Sequence, residues 1–260
     1  MTYDCKQCDF EFGDKFSAMK TKIAAVLLLL AAFAAAAAPA TARDELVTLP
    51  PAAAASEAIS YLLTLKDGTP AYATILMPGG RGILNPRMEN GKVALSMAGN
   101  FLIRSRERFA DGRFVAASSD ASSTVPRMLA IVEDLERRFG RIAIYIVGTS
   151  RSTDVTMALA APLDGRVAGF VHTSSMNPIA SFDTRKFKSR HLIVHHKDDH
   201  CRVTRFGSAE QNNRSYGTPL IVMEGGKSTG DDCEAYAHHG YNGVEQETVD
   251  RIKAWIVAGK

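Results

Sequence analysis

Three residue types that together can cleave an acyl bond occur in a set order, each after a run that reads as a strand. Ser150 lies in Gly148-Thr149-Ser150-Arg151-Ser152, between the apolar run Ile142–Val147 and the helical segment Thr153–Ala161. Asp198 and Asp199 follow His191–His196, and His238 and His239 follow Pro219–Glu224. A serine hydroxyl attacks a carbonyl efficiently only when a histidine takes its proton and a carboxylate fixes that imidazole. A sharp strand-turn-helix would lift the Ser150 hydroxyl above a sheet and set a helix N-terminus under a developing oxyanion. The turn needs small residues two before and two after the serine; Gly148 supplies the first, and Ser152 stands where glycine is usual. Alone, the turn also fits an ordinary helix start with Thr149 or Ser150 as N-cap. The order Ser, Asp, His favours the chemical reading, since active sites of open α/β sheets lie at the carboxyl ends of strands. Spacing does not choose between Asp198 and Asp199, or between His238 and His239.

An oxyanion would need two backbone N–H groups, one from Arg151 and one from an earlier loop. The turn Gly79-Gly80-Arg81-Gly82 suits the second, with Gly80 and Arg81 as donors, because glycine lets backbone approach a substrate closely. Its glycines match neither phosphate-loop pattern. His195, His196 and His200 offer an alternative, a metal-dependent hydrolase. However, the dinuclear pattern H-x-H-x-D-H fails, with Lys197 where a histidine is needed. A non-catalytic binding protein on the same fold is a third reading. His172, His191, Asp198 and His238 read as solvated loop residues.

The elements that must position these residues alternate in the manner of a parallel sheet wrapped by helices. Strands are expected over Ala71–Met77, Arg113–Ser118, Ile142–Val147, Val167–Thr173, His191–His196 and Pro219–Glu224. Helices are expected over Asn100–Ala110, Pro126–Phe139, Thr153–Ala161 and Val244–Val257, the second with Met128, Ile131, Leu135 and Phe139 on one stripe. The short connection between Thr173 and His191 predicts no large lid. Such an open site suits a small-molecule or surface-exposed acyl substrate.

With 46% hydrophobic and 23% charged residues, the 260-residue chain is ordinary for a globular protein. A net charge of +3, spread without basic runs, argues against nucleic acid as a partner. From Met19 the sequence reads as a secretory signal: a basic start, the apolar run Ile23–Ala38, and a small-residue cleavage site ending at Ala42. The apolar run is shorter than the roughly 20 residues that span a bilayer, so no stable membrane insertion is expected after cleavage. Residues 1–42 are thus expected to be removed, 43–57 to be a linker and 58–260 to form one domain in the periplasm or outside the cell. Cys5-x-x-Cys8 would lie upstream of the true start. The two remaining cysteines, Cys201 and Cys233, would pair in an oxidising compartment, with two separate buried thiols as the alternative.

The runs MPGGRG, NFLIRSRERF, GTSRST, VHHKDDHC and DDCEAYAHHGYNGVE together resemble a group of exported proteobacterial α/β hydrolases, from about Leu62 onward. The chain departs from that group at Ser152, where similar proteins have glycine, and over Ala116–Asp120. The resemblance implies an α/β-hydrolase fold and an esterase-like serine hydrolase. It selects Ser150, Asp199 and His239 as the triad, and it implies that Cys201 and Cys233 pair, joining the acid loop to the histidine loop. No cofactor is required by such a mechanism.

Overall fold

The computed structural model describes residues 1, 41–51 and 58–259, and every element below lies in the unit Thr41–Lys260. The expected signal segment, with Cys5 and Cys8, lies outside the described residues except for Met1, Thr41 and Ala42.

The strands are β1 (Arg43–Leu49), β2 (Ile59–Leu65), β3 (Tyr72–Met77), β4 (Arg87–Glu89), β5 (Lys92–Ala94), β6 (Phe114–Ser119), β7 (Ala143–Thr149), β8 (Gly169–Thr173), β9 (Arg190–His196) and β10 (Leu220–Met223). The helices are α1 (Phe101–Arg104), α2 (Arg106–Phe109), α3 (Val125–Phe139), α4 (Ser152–Ala160), α5 (Phe206–Tyr216) and α6 (Glu245–Ala258). Among the described residues, eight strands form one sheet in the order β1-β2-β6-β3-β7-β8-β9-β10, and β4 and β5 form a separate hairpin. Strand β2 runs antiparallel to both β1 and β6, and all pairings from β6 to β10 are parallel.

Side chains alternate between the two faces of a strand, and β3 shows the result. Ala73, Ile75 and Met77 join a core cluster with Met128, Ile131 and Leu135 of α3. Tyr72 and Leu76 join the opposite cluster, with residues of α1, α2 and α6. Helices therefore cover both faces, and the apolar run of β7 is buried on both, as its composition requires.

Three expectations change. The linker expected over 43–57 begins with β1, an edge strand in register with β2 from Arg43–Leu65 to Leu49–Ile59. The Pro and Ala-rich stretch Pro50–Ala55 suggested a linker, but the residues before it alternate enough for an antiparallel edge strand, which needs only one buried face. The helix expected over Asn100–Ala110 breaks at Ser105, so that Arg104 and Arg106 reach different partners. Helix α5, too polar to stand out in the sequence, was not expected. Between β8 and β9 lie only two short 3-10 turns, Asn177–Ser181 and Thr184–Lys186.

Candidate active site

Strand β7 ends in a tight turn at Ser150, whose φ of 53° lies in the left-handed region. Such a conformation costs energy in a residue other than glycine and persists where its surroundings enforce it. Here the Ser150 N–H donates to Thr173 O on β8 (3.0 Å), and the Ser150 carbonyl accepts the N–H (2.9 Å) and hydroxyl (2.6 Å) of Thr153. Gly148 leaves room for the turn, since a Cβ there would lie 2.6 Å from the Ser152 carbonyl oxygen. Gly79 plays the same part opposite: its Cβ would lie 2.9 Å from Ser150 Cβ, so the glycine turn is packed against the elbow.

Ser152 fits where glycine was usual. Its buried hydroxyl accepts the Thr149 N–H (2.7 Å) and lies 2.8 Å from Met77 O and 2.9 Å from Thr149 O. The hydroxyl thus links the elbow to the end of β3, from which the glycine turn departs.

Asp199 and His239 come together beyond the ends of β9 and β10. Asp199 Oδ2 lies 3.0 Å from His239 Nδ1, 3.2 Å from His195 Nε2 and 3.2 Å from the Thr204 hydroxyl, and its Oδ1 accepts the Cys201 N–H at 3.0 Å. Burial opposes ionisation of Asp199, but the hydrogen bonds and charges of His195 and His239 outweigh it and hold the carboxyl well below the usual range. Because Nδ1 faces the carboxylate, Nε2 is the His239 nitrogen left to take a proton. Ser150 and His239 share one cavity of about 650 Å³ but make no direct hydrogen bond, a looseness common before substrate binds. Gly80, Arg81 and Arg151, expected as oxyanion donors, line the same cavity, as do both cysteines. The apolar wall is formed by Met97, Phe101, Met176, Val203 and Tyr236.

Cys201 and Cys233 form a disulfide that ties the Asp199 loop to the segment leading to His239. Residues not singled out in the sequence hold that histidine from two other sides. Ser174 Oγ donates to His239 O (2.7 Å), and the Ser174 N–H donates to the Tyr241 hydroxyl (2.8 Å), which donates to Val194 O (2.8 Å). The Arg104 guanidinium donates to Ala235 O (3.0 Å) and Gly240 O (2.6 Å) and pairs with Glu245 (2.9 Å). Ser174 and Tyr241 share the positive φ of Ser150, at 43° and 56°. Backbone strain thus gathers at this end of the sheet. The only advance signal was the placement of Tyr241 in H-G-Y-N-G and of Arg104 in NFLIRSRERF.

The ligand set His195, His196 and His200 does not assemble. His195 Nε2 faces Thr204 O at 2.8 Å, His196 Nε2 faces Gly225 O at 2.9 Å, and His200 is exposed. His172 and His191, expected to be solvated, are buried at 0% and 5% exposure because they sit on β8 and β9 among Phe170, Phe182 and Phe187. Asp120, just past the end of β6, accepts the N–H groups of Leu84 (2.6 Å) and Asn85 (2.8 Å) and so anchors the loop after the glycine turn.

Strand order, parallel pairing and the elbow at the end of β7 define the α/β-hydrolase fold. Solved structures with the same fold include an α/β serine hydrolase without a lid from Xanthomonas campestris (9% identity, TM-score 0.52, covering 83% of this chain and 98% of that one). Est1E from Butyrivibrio proteoclasticus is similar at 12% identity and TM-score 0.56, covering 82% of this chain and 98% of that one. The esterase domain of a Rhodothermus marinus protein matches at 12% identity and TM-score 0.55, with 82% and 97% covered. No protein-family model matches the sequence, and no curated protein matches it significantly.

Proposed function

We propose that the chain is an exported serine hydrolase that cleaves a carboxylic ester or related acyl bond, with Ser150 as nucleophile, His239 as general base and Asp199 as its orienting carboxylate. The observation that carries this reading is a strained Ser150 sharing a cavity with a histidine whose other ring nitrogen faces a buried carboxylate. In the first half-reaction Ser150 Oγ bonds to the substrate carbonyl carbon while His239 Nε2 takes the hydroxyl proton. The carbonyl oxygen, now negative, is met by the N–H groups of Arg151 and of Gly80 or Arg81. Collapse expels the alcohol, which takes the proton from His239. Water then attacks the acyl-serine, with His239 again as base, and releases the acid. Among the described residues no helix is long and apolar enough to cross a membrane, and the disulfide supports an oxidising compartment.

A series of p-nitrophenyl esters of graded chain length tests the reading. Turnover by the wild type should fall by about 10⁴-fold in Ser150→Ala and in His239→Ala. Turnover retained in both folded variants would remove Ser150 and His239 from the mechanism.

A further inference from the structure

A second cluster of ligating side chains lies beside the candidate triad and takes no part in it. His196, Asp198 and His238 each offer a ligand atom, all within 4.8 Å of one another. The imidazoles of His196 and His238 are stacked with centroids 4.5 Å apart and planes 3° from parallel. His196 is buried, whereas Asp198 and His238 are half-buried and open to solvent. The Asp198 carboxylate and the His238 ring nitrogens make no hydrogen bonds among the described residues, so both are available.

The tautomer of His196 suits a ligand. Its Nε2 faces Gly225 O at 2.9 Å and must carry the proton, which leaves the lone pair on Nδ1. A ring N–H fixed by a backbone carbonyl is the usual arrangement behind a metal-bound histidine. Nδ1 now accepts the Asp198 N–H at 3.1 Å, a bond that coordination would replace. The other nearby grouping, Asp199, Cys201 and His239, offers no such site, because the Cys201 sulfur is in the disulfide and the other two are paired together.

We propose that His196, Asp198 and His238 form a binding site for a divalent transition-metal ion of the zinc type. Two imidazoles and a carboxylate are the donors that such an ion takes, and the solvent-facing side leaves a fourth position for water. Imidazole lone pairs lie in the ring plane, so the half-buried His238 must turn out of the stack, and ligand atoms within 4.8 Å of one another must approach to about 3.3 Å, the edge of a tetrahedral zinc site. Bound metal would clasp the acid loop, through the neighbour of Asp199, to the histidine loop, through the neighbour of His239. Those are the two loops the disulfide already joins. The site does not depend on the proposed hydrolase activity.

The test is calorimetric titration of the full-length protein with Zn²⁺, with the visible spectrum of its Co²⁺ form and thermal unfolding as parallel readouts. His238→Phe keeps a stacked ring without a lone pair, and Asp198→Asn weakens the third donor; neither alters a buried group. The wild type is expected to bind with a Kd on the order of micromolar, show tetrahedral Co²⁺ bands and gain about 5 °C in Tm at saturating Zn²⁺. Affinity should fall at least about tenfold in each variant, by the general cost of losing a metal contact. No binding at millimolar Zn²⁺, or equal affinity in wild type and His238→Phe, would overturn the proposal; the second result would place the metal elsewhere, for example at Cys5 and Cys8.

Discussion

Two pairs of buried histidines lie on or beside one sheet, and they are held in opposite ways. His195 and His239 flank a single carboxylate, Asp199, which is kept ionised between them. His172 and His191 face each other, with His172 Nε2 at 3.1 Å from His191 Nδ1 and no carboxylate in contact. Their hydrogen bonds run one way. The Thr156 hydroxyl donates to Thr153 O, so His172 Nδ1–H donates to Thr156, and His191 Nδ1–H donates to His172 Nε2. The His191 Nε2 at the end of this hydrogen-bond chain is buried and has no partner among the described residues. Burial with a like neighbour drives His172 well below the ordinary histidine range, and burial pushes His191 down to about 4 against a small opposing pull from Asp164. One pair is set against a negative charge, and the other is packed against apolar rings without one. What separates them is the partner, since all four side chains are buried.

Removing the carboxylate breaks this contrast most severely. Asp199→Asn should lower kcat by about 10³- to 10⁴-fold while the protein stays folded at neutral pH, because His239 loses the group that fixes its tautomer. The folded-state pKa of Asp199 is depressed, so its contribution to stability is present above the ordinary carboxylate range and is lost as the pH falls through the folded value. Acid unfolding of wild type and variant should therefore converge at low pH.

The disulfide comes next. It closes a loop with a sequence separation of 32, and Cys201→Ser with Cys233→Ser should cost roughly 3–4 kcal/mol in urea unfolding. Activity should fall with it, since the acid and histidine loops are then joined only by hydrogen bonds.

The core pair predicts an effect on stability alone. Its folded pKa values lie below the unfolded value, so the unfolded state takes up protons first as the pH falls below about 6.5. Wild type should lose roughly 3 kcal/mol through His191 between pH 6.5 and 4. His191→Phe, which preserves the stack on Phe170 and the tilted contact with Phe187, should flatten that loss. An unchanged pH slope would mean that His191 is already protonated in the fold.

The smallest effect is expected at Ser152. Ser152→Ala leaves Met77 O and the Thr149 N–H without their buried partner and should cost about 1–2 kcal/mol in stability. A similar cost in Ser152→Gly would show that this chain depends on the hydroxyl at a position where the G-x-S-x-G elbow pattern has glycine.

The site was more legible than its support. Ile142–Val147 announced a central strand because an unbroken apolar run can be buried on two faces, and Ser150 follows it directly. Asp199 follows the end of β9 closely and was easy to single out, whereas His239 lies well beyond Met223 at the end of β10, so its approach to Asp199 depends on a loop that local sequence does not encode. Edge strand β1 was hidden because its register depends on β2, a contact that local sequence does not encode. His172 and His191 were misread because a histidine on a short strand looks the same whether its face meets solvent or phenylalanine. Ser174 and Thr204 were invisible for the same reason: each meets His239, which is distant in sequence.

The central claim, that Ser150 is activated by His239, is tested most directly by labelling the purified protein with a fluorophosphonate and mapping the modified peptide. The account predicts stoichiometric label on Ser150 that disappears in Ser150→Ala and falls by orders of magnitude in His239→Ala. A folded wild type that takes no label, or that takes it on another residue, would contradict the account.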